Sequence, residues 1–282
     1  MKILEVLAPG IEATIQDQGR FGWRRFGVPS SGAMDRHAAM WANRLLNNAA
    51  DAAVLELLFG GAKLKALCDG WIAVTGAASA ANIPIWRAIK LSAGQTLSFG
   101  PHKHGMWSYV AVSGGFEASR FLGSASVYKR GKIGSALVAG DVLCCSATDF
   151  TLPYGISGRL VPPAEQRDYR QPPALRIWQG PQWELFDENA RDALCETDWT
   201  ISPQSDRVGY RLSGVPLKAR THQLLSEPVL EGSIQVPANG QPIVTMRDGP
   251  TVGGYPKIAL IDPDDLSWLA QCEPGQKVRF RM

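Results

Sequence analysis

The first residues with chemical potential lie near the N-terminus, where a carboxylate, a guanidinium and two hydroxyls occur within fifteen positions. Asp17 and Arg20 come first, and Ser30 and Ser31 follow directly before Gly32. Small hydroxyl residues and glycine ahead of a helix are typical of an anion site, because unpaired backbone N–H groups point outward there. N-capping by one of the serines and a turn bond between Asp17 and Arg20 explain the same residues structurally. The residues alone leave both interpretations open.

A second group, Ser205–Leu212, holds two arginines four positions apart. Guanidinium groups bind carboxylate or phosphate in a bidentate manner, so Arg207 and Arg211 are candidates for an anion clamp. In an extended segment their side chains would share one face. A structural network between Asp206 and the arginines, bracing a strand, is the alternative.

The third group, Met246–Lys257, combines glycines with polar side chains. The candidate residues are Asp248, Thr251, Gly253, Gly254, Tyr255 and Lys257. Paired glycines let the backbone approach a ligand closely, and inward-turned N–H groups stabilise a developing oxyanion. Tyr255 and Lys257 add a hydroxyl and a mobile charge. A tight hairpin explains the glycines equally well.

Short apolar or alternating runs between turn signals predict the strands that must position these groups. The predicted strands are Ile3–Leu7, Val54–Phe59, Trp71–Thr75, Leu97–Phe99, Tyr109–Val112, Val142–Cys145 and Leu175–Trp178. Apolar residues at spacings of three and four predict a helix over Met34–Asn47, with Ser30 or Ser31 as its cap. Shorter helices are expected after Pro181 and after Asp262.

The sequence predicts two domains of similar texture. We expect an N-terminal domain over residues 1–160, a proline-rich linker over 161–173 and a C-terminal domain over 174–282. Leu91–Phe99 and Cys272–Phe280 each lead through Gly-Gln into an alternating strand, which fits two related β-barrels in tandem. The 29 glycines and 19 prolines among 282 residues favour many short strands over long helices.

Composition and missing motifs narrow the function. A net charge of +3 without a basic block argues against a nucleic-acid partner, and the longest uncharged run is too polar for a membrane span. Glu5 interrupts the run that a signal peptide needs, and the five cysteines show no C-x-x-C spacing, so a cytoplasmic protein is expected. His102 and His104 lack a third ligand nearby, so no metal site is predicted. The sequence also lacks the motif of a phosphate-binding loop. It has no lysine between two methionines, as a biotin carrier has, so no covalent biotin is expected.

The three groups, in order, resemble a known family. GVPSSGAMD (27–35), SDRVGYRL (205–212) and DGPTVGGYPK (248–257) are similar to the A-subunit family of carboxyltransferase domains, also called allophanate hydrolase subunit 2 or Kip-antagonist-like (KipA-like). Val208 and Val252 stand where Met and Thr would be expected, and the polar residues match. The resemblance implies a mostly β fold of two tandem cyclophilin-like β-barrels with a few short helices.

The resemblance also implies partners and an activity. Its stand-alone bacterial members include the C subunit of ATP-dependent 5-oxoprolinase, which couples ATP hydrolysis to opening the lactam of 5-oxo-L-proline to L-glutamate. We expect a separate Kip-inhibitor-like B subunit, a LamB/YcsF-type A subunit, and a small lactam or amide substrate. The expected cofactor is ATP, and whether it binds here or on a partner stays open.

Within that activity the candidate residues take hypothetical roles. Arg20, Arg207 or Arg211 would hold the substrate carboxylate, with Ser30 and Ser31 as further binding residues. The backbone of Thr251–Gly254 would stabilise charge on the lactam oxygen, and Asp248 or Asp17 would orient or move a proton, beside Tyr255 and Lys257. The second and third groups are expected to converge in the second barrel, and the first to line a different groove.

Two alternatives remain open at this stage. The chain could be the A-type carboxyltransferase component of a biotin-dependent, urea-type carboxylase, with the biotin arriving on another chain. It could also be a non-enzymatic Kip-antagonist regulator that binds a kinase-inhibitor protein.

Overall fold

The computed structural model describes residues 1–78, 83–146, 155–221 and 224–282, and these pack as two compact units. The first unit contains Met1–Arg20 and Ser31–Asp168, and the second contains Phe21–Ser30 and Tyr169–Met282. The chain therefore changes unit between Asp168 and Tyr169, inside the segment predicted as a linker.

Residues 21–30 correct the predicted domain boundaries, which placed them in the N-terminal domain. They pack with the second unit, where the Arg24 guanidinium donates hydrogen bonds to the carbonyl oxygens of Val229 and Pro250. A segment that is early in the sequence thus supplies part of the second unit. Residues 161–168 likewise belong to the first unit rather than to a free linker.

The described part of the first unit contains nine strands in two antiparallel sheets. They are β1 (Lys2–Pro9), β2 (Glu12–Gln16), β3 (Val54–Leu58), β4 (Ala62–Ala66), β5 (Gly70–Gly76), β6 (Arg87–Leu91), β7 (Thr96–Ser98), β8 (Trp107–Val112) and β9 (Val142–Cys144). One sheet has the order β7-β4-β1-β9 and the other β2-β3-β8-β5-β6. Side chains of both sheets meet in one apolar core.

Helix α1 (Arg36–Leu45) covers the outer face of the second of these sheets. Because side chains alternate along a strand, Val110 and Val112 face the core, while Tyr109 and Ala111 face the helix. Both faces of β5 and β8 are therefore buried. The Asp35 carboxylate caps α1 by accepting from the Ala38 N–H at 3.0 Å, so the predicted caps, Ser30 and Ser31, are wrong.

The described part of the second unit is a nearly closed barrel with two helices. Its strands are β10 (Leu175–Gln179), β11 (Trp199–Ile201), β12 (Gly209–Ser213), β13 (Glu227–Pro228), β14 (Ser233–Gln235), β15 (Ile243–Thr245), β16 (Val252–Gly253), β17 (Lys257–Ile261), β18 (Lys277–Val278) and β19 (Phe280–Arg281). The helices are α2 (Glu188–Glu196) and α3 (Pro263–Ala270). The main sheet has the order β18-β11-β12-β15-β14-β17-β10-β19, so its two edge strands are separated in sequence only by Arg279.

These elements confirm the predicted mostly β fold with barrel-like sheets and a few short helices. The helix expected after Asp262 is α3, which that aspartate caps. The helix expected after Pro181 is divided: Trp183–Leu185 forms a single 3₁₀ turn, and α2 begins only after its cap, Asp187. All five cysteines are free thiols. Within the described ranges, no helix is both long and apolar enough to span a bilayer.

Candidate functional site

Asp17 is a hydrogen-bonding hub of the first unit. One carboxylate oxygen accepts from the Gly19 N–H at 2.8 Å and from the hydroxyls of Ser124 and Ser126 at 2.6 Å each. The other oxygen accepts from the Ala125 N–H at 2.6 Å. The residue is 4% exposed. Through these bonds Asp17 holds the segment after β2 against residues 124–126. The residue that was predicted to be catalytic therefore has a structural role.

Arg20 completes this connection. Its side chain is fully buried and donates to the carbonyl oxygens of Phe121 at 3.0 Å and Ser126 at 2.6 Å. A guanidinium without solvent exposure and bonded to backbone carbonyls is not open to a substrate carboxylate. Arg20 and Asp17 do lie together, as their spacing suggested, but through the 121–126 segment rather than through a turn bond of their own.

The two candidate serines lie in different units. Ser30 is buried in the second unit and Ser31 in the first. Ser31 has a φ of 56°, which is unusual for a residue other than glycine, and its buried hydroxyl has no hydrogen-bond partner among the described residues. Neither serine caps α1.

A buried polar network lies beneath the start of α1, and sequence reasoning missed it. The Glu56 carboxylate accepts from the Tyr109 hydroxyl at 2.8 Å and from the Met34 N–H at 2.7 Å, and the Tyr109 oxygen accepts from the Asp35 N–H at 2.7 Å. Burial, followed by the charges of Glu56 and Asp35, holds the pKa of Tyr109 well above its usual range. Tyr109 therefore stays protonated and holds the helix start on the sheet.

The second and third sequence groups meet in the second unit. The Arg207 guanidinium donates to the Asp248 carboxylate at 2.8 Å, in a pair whose side chains are 11% and 8% exposed. Main-chain bonds reinforce the contact, because the Asp248 N–H donates to Arg207 O and the Met246 N–H to Val208 O. Arg207 thus already holds a carboxylate of its own chain.

Lys257 has a comparable partner. Its ammonium group is buried and forms an ion pair with Glu227, whose carboxylate also accepts from the Gln182 amide at 2.6 Å. The hydrogen bond from Lys257 lowers the pKa of Glu227. Lys257 is therefore held in place by its partner, whereas the sequence had suggested a mobile charge.

The glycine-rich segment is covered by the chain itself. Strand β16 pairs with β13, and Thr251 O and Gly254 O accept from the N–H groups of Val229 and Leu224. A Cβ on Gly254 would lie 2.8 Å from Leu224 O. The glycines predicted that the backbone approaches another group closely. In the structure that group is the 224–229 segment of the same chain.

The described part of the second unit contains a cavity of about 360 Å³. Arg211, Tyr255, Gln204 and Asn239 contribute polar groups to its lining, and Ile243 contributes apolar surface. Within the described residues, the Arg211 guanidinium and the Tyr255 hydroxyl make no hydrogen bond or ion pair. The cavity therefore brings together two predicted site residues whose functional groups are uncommitted.

The two neighbouring histidines, His102 and His104, have different surroundings. His102 is half-buried beside the Ser108 hydroxyl at 2.8 Å, and burial lowers the pKa of its imidazole, whereas His104 is exposed. In the portion of the chain that is described, no cluster of three or more His, Cys, Asp or Glu side chains is arranged to hold a metal ion.

Comparison with known proteins identifies the family of this two-unit fold. Residues 26–282 match the family described as carboxyltransferase domain, subdomain A and B. The chain belongs to this family. The match includes all three sequence groups from Gly27 onward, so the resemblance predicted from them is confirmed.

Two bacterial relatives of this carboxyltransferase-domain chain are similar over nearly its whole length. It is 39% identical to the 5-oxoprolinase C subunit of Escherichia coli and 37% identical to that of Haemophilus influenzae, covering 99% of this chain and 90% of each relative. The urea amidolyase of Saccharomyces cerevisiae is 27% identical over 98% of this chain, which corresponds to 16% of that protein.

Solved structures agree with the sequence relationship. The structure of TTHA0988 superposes with a TM-score of 0.89 at 38% identity over all of this chain, which spans 56% of that chain. The urea amidolyase of Kluyveromyces lactis superposes with a TM-score of 0.90 at 27% identity, and this chain spans 19% of it. The same fold thus occurs as a separate chain and as part of much longer proteins.

Proposed function

We propose that this chain is the C subunit of a 5-oxoprolinase, a multi-subunit hydrolase that opens the lactam of 5-oxo-L-proline to L-glutamate with ATP. The observation that carries the proposal is the 39% identity that extends over 99% of this chain and 90% of a 5-oxoprolinase C subunit. A relationship of that extent includes the whole two-unit fold and leaves little of the relative unmatched.

The urea-type carboxylase is the weaker alternative. Its support is a 27% identity to a urea amidolyase of which this chain matches only 16%. The remaining functions of such a protein, including the biotin, lie outside the part that this chain matches. The open Arg211 side chain also favours an anionic substrate, because 5-oxo-L-proline carries a carboxylate at neutral pH whereas urea is neutral.

The chemistry explains why several subunits and ATP would be needed. An amide carbonyl is a poor electrophile, so opening the ring requires activation of its oxygen, for which phosphorylation by ATP is a direct route. Attack of water on the phosphorylated carbon then expels the ring nitrogen as the amine of glutamate and leaves an acyl phosphate. A second water molecule releases inorganic phosphate from it, so the products are ADP, phosphate and L-glutamate. We propose that two partners complete the enzyme, a Kip-inhibitor-like B subunit with a LamB/YcsF-type A subunit, and that it works in the cytoplasm.

The proposed residue roles change with the structure. Asp17 and Arg20 form a structural connection in the first unit, and Arg207 and Lys257 are each paired with a carboxylate of their own unit. Arg211 and Tyr255 are predicted site residues that line the cavity, and their functional groups have no partner within the described ranges. We therefore propose that these two contact substrate.

Reconstitution tests the proposal. The chain is purified alone and then mixed with its B-type and LamB/YcsF-type partners, and glutamate release from 5-oxo-L-proline is measured with and without ATP. We expect release only in the complete mixture, dependent on ATP, with ADP formed alongside. A mixture that assembles by size-exclusion chromatography yet releases no glutamate refutes the proposal.

The same preparations test the alternatives. Transfer of a carboxyl group from carboxybiotin to a urea-like amide would support the carboxylase. Stable binding of this chain to a Kip-type kinase inhibitor, without turnover in any mixture, would support the regulator.

A further inference from the structure

We propose that the 360 Å³ cavity of the second unit binds the carboxylate of the substrate, with Arg211 as its anion receptor. This inference rests on the proposed function and adds the place and the residue that recognise 5-oxo-L-proline. The cavity belongs wholly to the second unit.

The position of Arg211 follows from the alternation of β12. Tyr210 and Leu212 point into the barrel core, so Arg211 and Ser213 lie on the outer face of the strand. Arg211 is opposite Ile243 in the β12–β15 ladder, and both residues line the cavity. The guanidinium is thus presented on a rigid sheet rather than on a loop.

The Arg211 side chain is available for a ligand. The nearby Ser205 hydroxyl binds the Arg211 backbone N–H at 3.0 Å, and Asp206 uses one carboxylate oxygen for the N–H groups of Val208 and Gly209. No described residue forms an ion pair or hydrogen bond with the guanidinium. A cation without a counter-ion at a concave surface attracts an anion.

The remaining lining suits a small cyclic amide. Pro237, Pro242 and Ile243 offer apolar surface to ring methylenes, whereas the amide of Gln204 and the hydroxyl of Tyr255 can bind a lactam N–H and carbonyl. The volume is at the lower end of the roughly 300–1,000 Å³ typical of ligand pockets.

The charge of the lining indicates which ligand the cavity takes. Among the eleven described lining residues, Arg211 alone is charged, which matches one carboxylate. The triphosphate of ATP would require several cations at the same place. We therefore assign the cavity to the substrate and not to the nucleotide.

Steady-state kinetics of the assembled complex provide the test. Arg211→Gln removes the charge and keeps hydrogen-bonding capacity, Arg211→Lys keeps the charge, and Arg220→Gln is the control, since Arg220 is another exposed arginine of the second unit outside the cavity. We expect Arg211→Gln to raise the KM for 5-oxo-L-proline about 10- to 100-fold, as for loss of a charge-assisted bond. The kcat should change little, since the carboxylate is bound alike before and during reaction. Arg211→Lys should recover part of the loss.

Other outcomes overturn the inference. An Arg211→Gln complex whose KM for 5-oxo-L-proline equals that of Arg220→Gln removes Arg211 from substrate binding while leaving the proposed function intact. A rise in the KM for ATP alone would make the cavity a nucleotide site and also refute the assignment.

A binding measurement separates failure of the site from failure of the function. If the wild-type complex releases no glutamate, calorimetry with 5-oxo-L-proline and with 2-pyrrolidinone, which lacks the carboxylate, still tests the cavity. Binding of the carboxylate compound alone, lost in Arg211→Gln, supports the site although the proposed function has failed. Absence of binding to the wild-type complex overturns both.

Discussion

Replacing Asp17 by asparagine tests whether this carboxylate is structural or catalytic. Fixed backbone donors contact both of its oxygens, the Gly19 N–H on one and the Ala125 N–H on the other. Whichever way an asparagine amide is turned, its NH₂ group faces one of these N–H groups. Asp17→Asn therefore leaves at least one buried donor without an acceptor.

The size of the effect follows from these contacts. A buried backbone donor left without a partner costs about 1–3 kcal/mol, and the bonds that remain lose the strengthening that the negative charge gives. We expect Asp17→Asn to lower the free energy of unfolding of the first unit by about 2–4 kcal/mol. For a unit of this size that corresponds to a fall in Tm of roughly 5–15 °C.

The assay must separate the two units, since one unfolding transition cannot be assumed for both. Scanning calorimetry gives the transition temperatures, and hydrogen exchange of peptides from β2 and residues 121–127 reports local opening. Glu117→Gln is the control, since it neutralises an exposed carboxylate of the same unit. A variant with unchanged Tm and unchanged exchange, but without turnover in the assembled complex, would refute this reasoning and restore the catalytic role predicted from the sequence.

Three further predictions concern the second unit. Because the hydrogen bond from Lys257 lowers the pKa of Glu227, this pair stabilises the fold above the ordinary glutamate pKa of 4.5 and ceases to do so as the pH falls through the lowered value. Glu227→Gln should therefore lower the urea midpoint of unfolding at neutral pH, and the difference in midpoint between variant and wild type should shrink in acid. An equal difference at neutral and at acid pH would contradict this. Gly254→Ala places a methyl group 2.8 Å from Leu224 O and should lower the free energy of unfolding in urea by about 1–3 kcal/mol. An unchanged free energy of unfolding would show that the 224–229 segment moves to make room for the methyl group. Tyr255→Phe should leave Tm unchanged and raise the KM for 5-oxo-L-proline roughly 2- to 10-fold, as for loss of one neutral hydrogen bond; an unchanged KM removes Tyr255 from the site.

Local patterns predicted many of the elements. The spacing of apolar residues located α1, and short alternating or apolar runs located β1, β3, β8 and β10. Strand β4 was missed although Lys63 and Lys65 alternate outward between buried residues, so the signal was present in the sequence. The cap of α1 was misassigned because several capping residues precede the helix, and only the three-dimensional fold selects Asp35.

The site was less predictable because its contacts join distant parts of the sequence. Three partners of Asp17, namely Ser124, Ala125 and Ser126, are more than one hundred positions away, and Arg207 is 41 positions from Asp248. Residue type identifies such groups as chemically capable but does not reveal whether another side chain of the same protein already occupies them. Arg211 and Arg207 are indistinguishable in the sequence. The structure separates them because, among the described residues, Arg207 has a carboxylate partner at 2.8 Å and Arg211 has none.

The barrel of the second unit has a consequence for how the protein is made. Its two edge strands, β18 and β19, leave the ribosome after every other strand of that sheet, whereas residues 21–30 are synthesised before most of the first unit. The first unit can fold as it emerges, with this early segment held aside as a loop. The second unit must wait for both its earliest and its latest residues, so it is completed after the first unit. A stalled or truncated nascent chain would present an open sheet edge to its neighbours.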